Sequence, residues 1–179
     1  MSKKKIVIIG GSGSIGSAIA KEVINEGFEA KLIGRNYYSL EKVSKELGCS
    51  FIVADVTNES ELKDSLELCG ENIFGLAYCV GSIDIKSISA AHTNDYIDSF
   101  KINTIGAITA IKSTKDILLK NNGSILLFSS VAAKQGFTNH TIISTAKGAI
   151  EGLTVSLAAE LSPNVRVNCI APSLTESGM

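Results

Sequence analysis

A stretch of nearly bare backbone lies close to the start of the chain: Gly10-Gly11-Ser12-Gly13-Ser14-Ile15-Gly16. Gly11, Gly13 and Gly16 spell G-x-G-x-x-G, and Gly10, Gly13 and Gly16 spell G-x-x-G-x-x-G. Glycines at this spacing suit one task. They allow a tight turn with positive φ, they let a pyrophosphate approach the main chain, and the helix that follows offers N–H groups and its dipole. Ser12, Ser14 and Ile15 contribute the intervening backbone. Such a string is informative only between a strand and a helix. Here the apolar run Lys5–Ile9 precedes it and the helical Ser17-Ala18-Ile19-Ala20-Lys21-Glu22 follows it. A dinucleotide site is expected.

The next apolar run closes on Ile33-Gly34-Arg35-Asn36. A site for NAD places an acidic residue about there, to bind the ribose 2′-OH. A guanidinium would instead pair bidentately with a 2′-phosphate. Arg35 therefore favours NADP(H) over NAD(H). Asp55, in Ala54-Asp55-Val56-Thr57-Asn58, has two readings: it accepts from an adenine amino group, or it caps the helix that begins near Glu59.

These groups need a scaffold. Apolar runs rich in Ile and Val at Lys5–Ile9, Glu29–Ile33, Ser50–Ala54, Ile73–Cys79, Ser124–Phe128 and Val165–Ile170 read as strands. Most run continuously apolar, as strands covered on both faces do. Helical patterns alternate with them at Gly13–Glu26, Ser39–Leu47, Glu59–Leu68, Thr93–Lys120 and Asn139–Leu161, the fourth long enough to suggest a loop followed by one helix. Strand and helix in alternation specify a parallel sheet with right-handed crossovers. The expected fold is a single α/β domain over residues 1–179: a doubly wound parallel sheet, or Rossmann fold, of about six strands in the order 3-2-1-4-5-6.

The composition fits. Of 179 residues 45% are hydrophobic but only 6% aromatic, so the core is aliphatic, and the apolar content excludes a disordered chain. Seventeen Lys and Arg against eighteen Asp and Glu leave a net charge of −1, without the basic excess of a nucleic-acid binder. Cys49, Cys69, Cys79 and Cys169 are far apart, with no C-x-x-C pair and no histidine cluster. Reduced thiols and no metal site are expected. Lys3-Lys4-Lys5 precedes an apolar run too short for a signal peptide, and no stretch is long enough to span a membrane. A soluble, cytoplasmic protein is the expectation.

Further motifs complete a pattern. Leu76-Ala77-Tyr78-Cys79-Val80-Gly81 follows the fourth strand. Phe100-Lys101-Ile102-Asn103 lies in the long helical stretch, and Gly123-Ser124-Ile125-Leu126-Leu127-Phe128-Ser129-Ser130 ends the fifth strand. Gly148-Ala149-Ile150-Glu151-Gly152-Leu153-Thr154 and Val165-Arg166-Val167-Asn168-Cys169-Ile170-Ala171-Pro172 come later. Together with the glycine turn, these resemble the short-chain dehydrogenase/reductase family over nearly the whole chain. The resemblance implies hydride transfer between a nicotinamide and a small carbonyl or alcohol. It implies that Ser130 orients the substrate oxygen, that Asn103 helps carry a water relay, and that Lys147 binds the nicotinamide ribose. Asp55 and Val56 match the adenine-contacting pair, and Gly81 and Pro172 match further cofactor-contacting positions. Homodimers or homotetramers built on small-residue helices are implied too, and Ala146, Gly148, Ala149, Gly152, Ala158 and Ala159 fit.

One departure is decisive. The family's proton-exchanging Tyr stands four residues before the Lys, and here that position is Ile143. An aliphatic side chain cannot act as general acid or base. His140 is a replacement by spacing, because residues 140, 143 and 147 share a helical face. Its alternative role is that of a polar residue at the helix start. Ser130 with a relayed water is another route. Family members also continue beyond the sixth strand, whereas this sequence reads Pro172-Ser173-Leu174-Thr175-Glu176-Ser177-Gly178-Met179 and stops. A poorly covered substrate site and an apolar edge strand would follow. Two readings stand: an NAD(P)(H)-dependent oxidoreductase, or a catalytically weak or truncated dinucleotide-binding module acting as sensor or subunit.

Overall fold

The computed structural model describes residues 3–175; Ser177 and Met179, where the sequence reading touched the end of the chain, lie outside the described residues. Six strands form one parallel sheet in the order β3-β2-β1-β4-β5-β6, as expected. They are β1 (Lys5–Ile9), β2 (Glu29–Gly34), β3 (Ser50–Val53), β4 (Ile73–Tyr78), β5 (Ser124–Phe128) and β6 (Arg166–Ile170). The helices are α1 (Ser14–Asn25), α2 (Tyr37–Leu47), α3 (Glu59–Glu67), α4 (Thr93–Phe100), α5 (Gly106–Asn121), the short α6 (Ala132–Gln135) and α7 (Thr141–Glu160).

The sheet packs on both faces. Ile8, Leu32 and Ala77 meet Ala20 of α1 and Leu40 of α2 on one side. Val7, Ile9, Ile33, Leu76 and Ile125 meet α3, α5 and α7 on the other, through Leu62, Ala107, Ile111 and Ile150. Burying such aliphatic side chains stabilises by about 1.5–3 kcal/mol each. The edge differs from the central strands. Among the described residues β6 pairs only with β5, and its residues alternate between buried and exposed, with Val167 buried and Ile170 exposed. An edge strand covered on one face reads this way despite its apolar sequence.

Three expectations need correction. The stretch Thr93–Lys120 holds no loop before its helix. α4 runs directly into a π turn, Lys101–Ile105, and then into α5. Asp55 does not cap α3 either. Asn58 does, its side chain accepting from the Glu61 N–H, while Asp55 accepts from the Thr57 N–H and hydroxyl in a local turn. α2 also starts earlier than its apolar pattern, because Asn36 caps it by accepting from the Ser39 N–H at 2.9 Å.

Candidate functional site

The ends of β1 and β4 and the first turn of α1 meet at one edge of the sheet. Gly10 takes φ +80°, and a Cβ there would lie 2.9 Å from the Cys79 carbonyl carbon. A Cβ on Gly16 would strike the Gly10 oxygen at 2.2 Å. These glycines are required by the fold itself. Gly13 is not: its φ is −75°, and a Cβ would meet only the Gly10 oxygen, at an ordinary 3.4 Å. Its missing side chain leaves the exposed mouth of the turn open, next to the unpaired N–H groups that begin α1. That is the shape a pyrophosphate needs. Ser12, Ser14 and Ile15 line the same turn at the surface or half-buried.

Arg35 is exposed just after β2, with Asp55 just after β3 on the neighbouring strand. The Thr57 donors hold the Asp55 carboxyl below its usual range, and the Arg35 charge adds to the effect. Val56 packs partly buried against the core beside Gly106. A guanidinium, a carboxylate and an apolar side chain therefore follow the ends of adjacent strands beside the glycine turn.

At the other end three elements converge. Asn103 sits in the π turn, fully buried, and its amide donates to the Ser99 carbonyl at 2.9 Å. Its Oδ1 is buried and has no partner among the described residues. Such an orphan acceptor is costly unless something completes it. Gly81, exposed after β4, marks the opening: a Cβ there would lie 3.1 Å from Asn103 Oδ1 and 3.4 Å from Lys147 Nζ. Lys147 projects from α7, buried, and its ammonium donates to the Phe128 carbonyl at 2.9 Å. Burial pushes its pKa down to about 8.

Ser130 lies two residues beyond β5, where the Ala132 N–H donates to its Oγ at 3.2 Å. Accepting there leaves the hydroxyl proton for another acceptor. Pro172 holds this turn from the other side, its carbonyl accepting from the Val131 N–H. Ile143 is buried one turn before Lys147. His140 caps α7 from outside the helix, half-buried; its Nδ1 donates to the Thr138 carbonyl at 2.7 Å, and its ring stands edge-on to Phe137.

Three neighbours were not among the candidate site residues read from the sequence. Ser129, rather than Ser130, anchors α7, its hydroxyl directed at the Lys147 carbonyl and the Glu151 carboxylate. Cys79 stands by Lys147, its thiol pushed up to about 12 by burial. Tyr78 is buried with its hydroxyl on the Ile102 carbonyl, 2.6 Å away. A lone polar atom ending an otherwise apolar strand was the one hint of it.

The four cysteines are free, and among the described residues no group of acidic, histidine or cysteine side chains could hold a metal. No helix among them is long and apolar enough to cross a membrane.

The profile of the short chain dehydrogenase family matches residues 4–179. The bovine (Bos taurus) 3-hydroxyacyl-CoA dehydrogenase type-2 is 30% identical, over 94% of this chain and 72% of its own length. Carbonyl reductase family member 4 of Xenopus laevis is 27% identical, over 98% and 77%. A solved short chain dehydrogenase/reductase family protein superposes with a TM-score of 0.93 at 25% identity, over 97% of this chain and 75% of that one. With the strand order, the glycine turn and the converging Asn103 and Lys147, these likenesses give one conclusion: the chain belongs to the short-chain dehydrogenase/reductase family of nicotinamide-dependent oxidoreductases.

Proposed function

We propose that this oxidoreductase interconverts a small carbonyl compound and its alcohol, with NADP(H) preferred to NAD(H). The observation that carries the reading is the convergence of Asn103 Oδ1 and Lys147 Nζ on the bare Gly81, at the same sheet edge as the glycine turn. A nicotinamide, when bound, supplies or accepts the hydride. In this reading Gly10, Ser12, Gly13, Ser14, Ile15 and Gly16 cradle the pyrophosphate. Arg35 meets the 2′-phosphate, and Asp55 and Val56 flank the adenine. Gly81, Lys147 and Pro172 border the nicotinamide end. Ser130 turns its hydroxyl proton to the substrate oxygen, and Asn103 Oδ1 accepts from a water that joins the site to solvent.

The exposed Arg35, with no carboxylate in its place at the end of β2, supports the coenzyme preference. The named relatives act on hydroxyacyl and carbonyl compounds, which makes a 3-oxoacyl thioester the first substrate to try. Small residues on α7, where Gly148 and Gly152 have open space beside them and Val155 is exposed, support pairing of two copies as a homodimer or within a homotetramer. Free, scattered thiols accord with the cytoplasm.

Calorimetric titration with NADPH and NADH, followed by coupled assay over ketones and alcohols, tests this. Binding of NADPH with turnover supports it. Binding without turnover on any carbonyl would leave a dinucleotide-binding module, and no binding would remove the reading altogether.

A further inference from the structure

We propose that the Lys147 ammonium is itself the proton donor to the substrate oxygen in this chain, a role that rests on the carbonyl-reducing reading above. The position one helical turn away, where the family carries its phenol, is filled by the buried aliphatic Ile143. His140 is outside α7, with Nδ1 committed to Thr138 and its ring against Phe137. Lys147 Nζ borders the opening at Gly81, together with the unpartnered Asn103 Oδ1. Of its three ammonium protons one goes to the Phe128 carbonyl; in this proposal a second goes to the substrate oxygen.

The surroundings do not hold the charge. The groups that act electrostatically on Lys147 are Cys79, at the end of β4, and Cys169, in β6. Burial raises both thiols, so they are neutral at physiological pH and supply no counter-ion. Glu151, further along α7, is engaged by Ser129. An ammonium that is buried and has no carboxylate partner among the described residues loses its proton readily, and its pKa of about 8 matches proton transfer near neutrality.

The step balances. The Nζ–H bond breaks and an O–H bond forms on the substrate oxygen. The electron pair for the new C–H bond comes from the reduced nicotinamide dinucleotide as co-reactant. The products are an alcohol, the oxidised coenzyme and a neutral amine. The amine regains a proton from bulk solvent by way of a water that donates its other hydrogen to Asn103 Oδ1.

The test has two arms. In ligand-free protein labelled with 15N-lysine, the Lys147 Nζ should titrate near 8; titration at the ordinary lysine value overturns the proposal. With NADPH and acetoacetyl-CoA, wild-type kcat for reduction should fall as pH rises through that value. Lys147→Arg keeps a cation that does not deprotonate. It should lose roughly 100-fold or more in kcat, and its residual kcat should no longer fall as pH rises through that value. An arginine variant that keeps its kcat overturns the proposal, as does loss of turnover in His140→Gln while Lys147→Arg stays active. Wild type that binds NADPH but reduces neither acetoacetyl-CoA nor any other carbonyl also overturns it. Failure to bind NADPH overturns instead the reading beneath it. The titration and the wild-type pH profile need no variant.

Discussion

The Tyr78 hydroxyl donates to the Ile102 carbonyl at 2.6 Å, joining the end of β4 to the π turn that carries Asn103. A π turn spaces its backbone bonds one residue wider than an α-helix, and such turns often mark functional positions. Gly106 makes room for the contact, since a Cβ there would lie 2.3 Å from the Tyr78 oxygen. Burial raises the phenol above its usual range, so it remains a protonated donor. Tyr78 is a positioning residue: it holds the turn, and the turn holds Asn103.

Tyr78→Phe removes one partner of this buried bond. The orphaned carbonyl should cost about 1–3 kcal/mol, read by chemical denaturation. If the bond positions Asn103, kcat should also fall while NADPH affinity holds; a loss of stability with kcat intact would reduce Tyr78 to packing.

Gly13→Ala and Gly16→Ala should separate binding from folding. The Gly16 variant forces a methyl into the Gly10 oxygen and should lose native structure by circular dichroism. The Gly13 variant has ordinary clearance, so it should fold and yet bind NADPH about tenfold or more weakly, a change of roughly 1.4 kcal/mol.

Arg35→Ala should discriminate the coenzymes. A charge-assisted bond to phosphate is worth roughly 1.5–3 kcal/mol, so NADPH should weaken by about tenfold to a hundredfold and NADH hardly at all. Equal losses in calorimetry would remove the role of Arg35 in selection.

Lys147 gives stability a pH dependence. Its folded pKa of about 8 lies below the ordinary 10.5, so between these values the unfolded chain binds more protons. Stability therefore rises with pH across that window. Below it the buried charge costs on the order of 3 kcal/mol, relieved as pH passes 10.5. Lys147→Met should lack this rise, and the wild-type minus variant difference in urea denaturation at pH 7 and pH 10 measures it.

Much of the molecule was legible in one dimension. The strands were readable because each is a contiguous apolar run, and the glycine turn because its chemistry depends on neighbours in sequence. Lys147, Ser130 and Asn103 were named through the family resemblance, and Ile143 by its contrast with the family's residue. Local order alone determined the fold class and the position of the glycine turn. Tertiary structure decided the rest, because those properties arise between residues distant in sequence. Asn103 lies in a π turn that is stabilised by Tyr78 from another element, which no helical periodicity reveals. Asn58 won the α3 cap from Asp55 once the chain had turned. The lowered pKa of Lys147 arises because folding buries it near the ends of β4, β5 and β6, beside two neutral thiols and, among the described residues, with no carboxylate acting on it. Desolvation is a property of three-dimensional surroundings, and the sequence names the lysine without stating its charge.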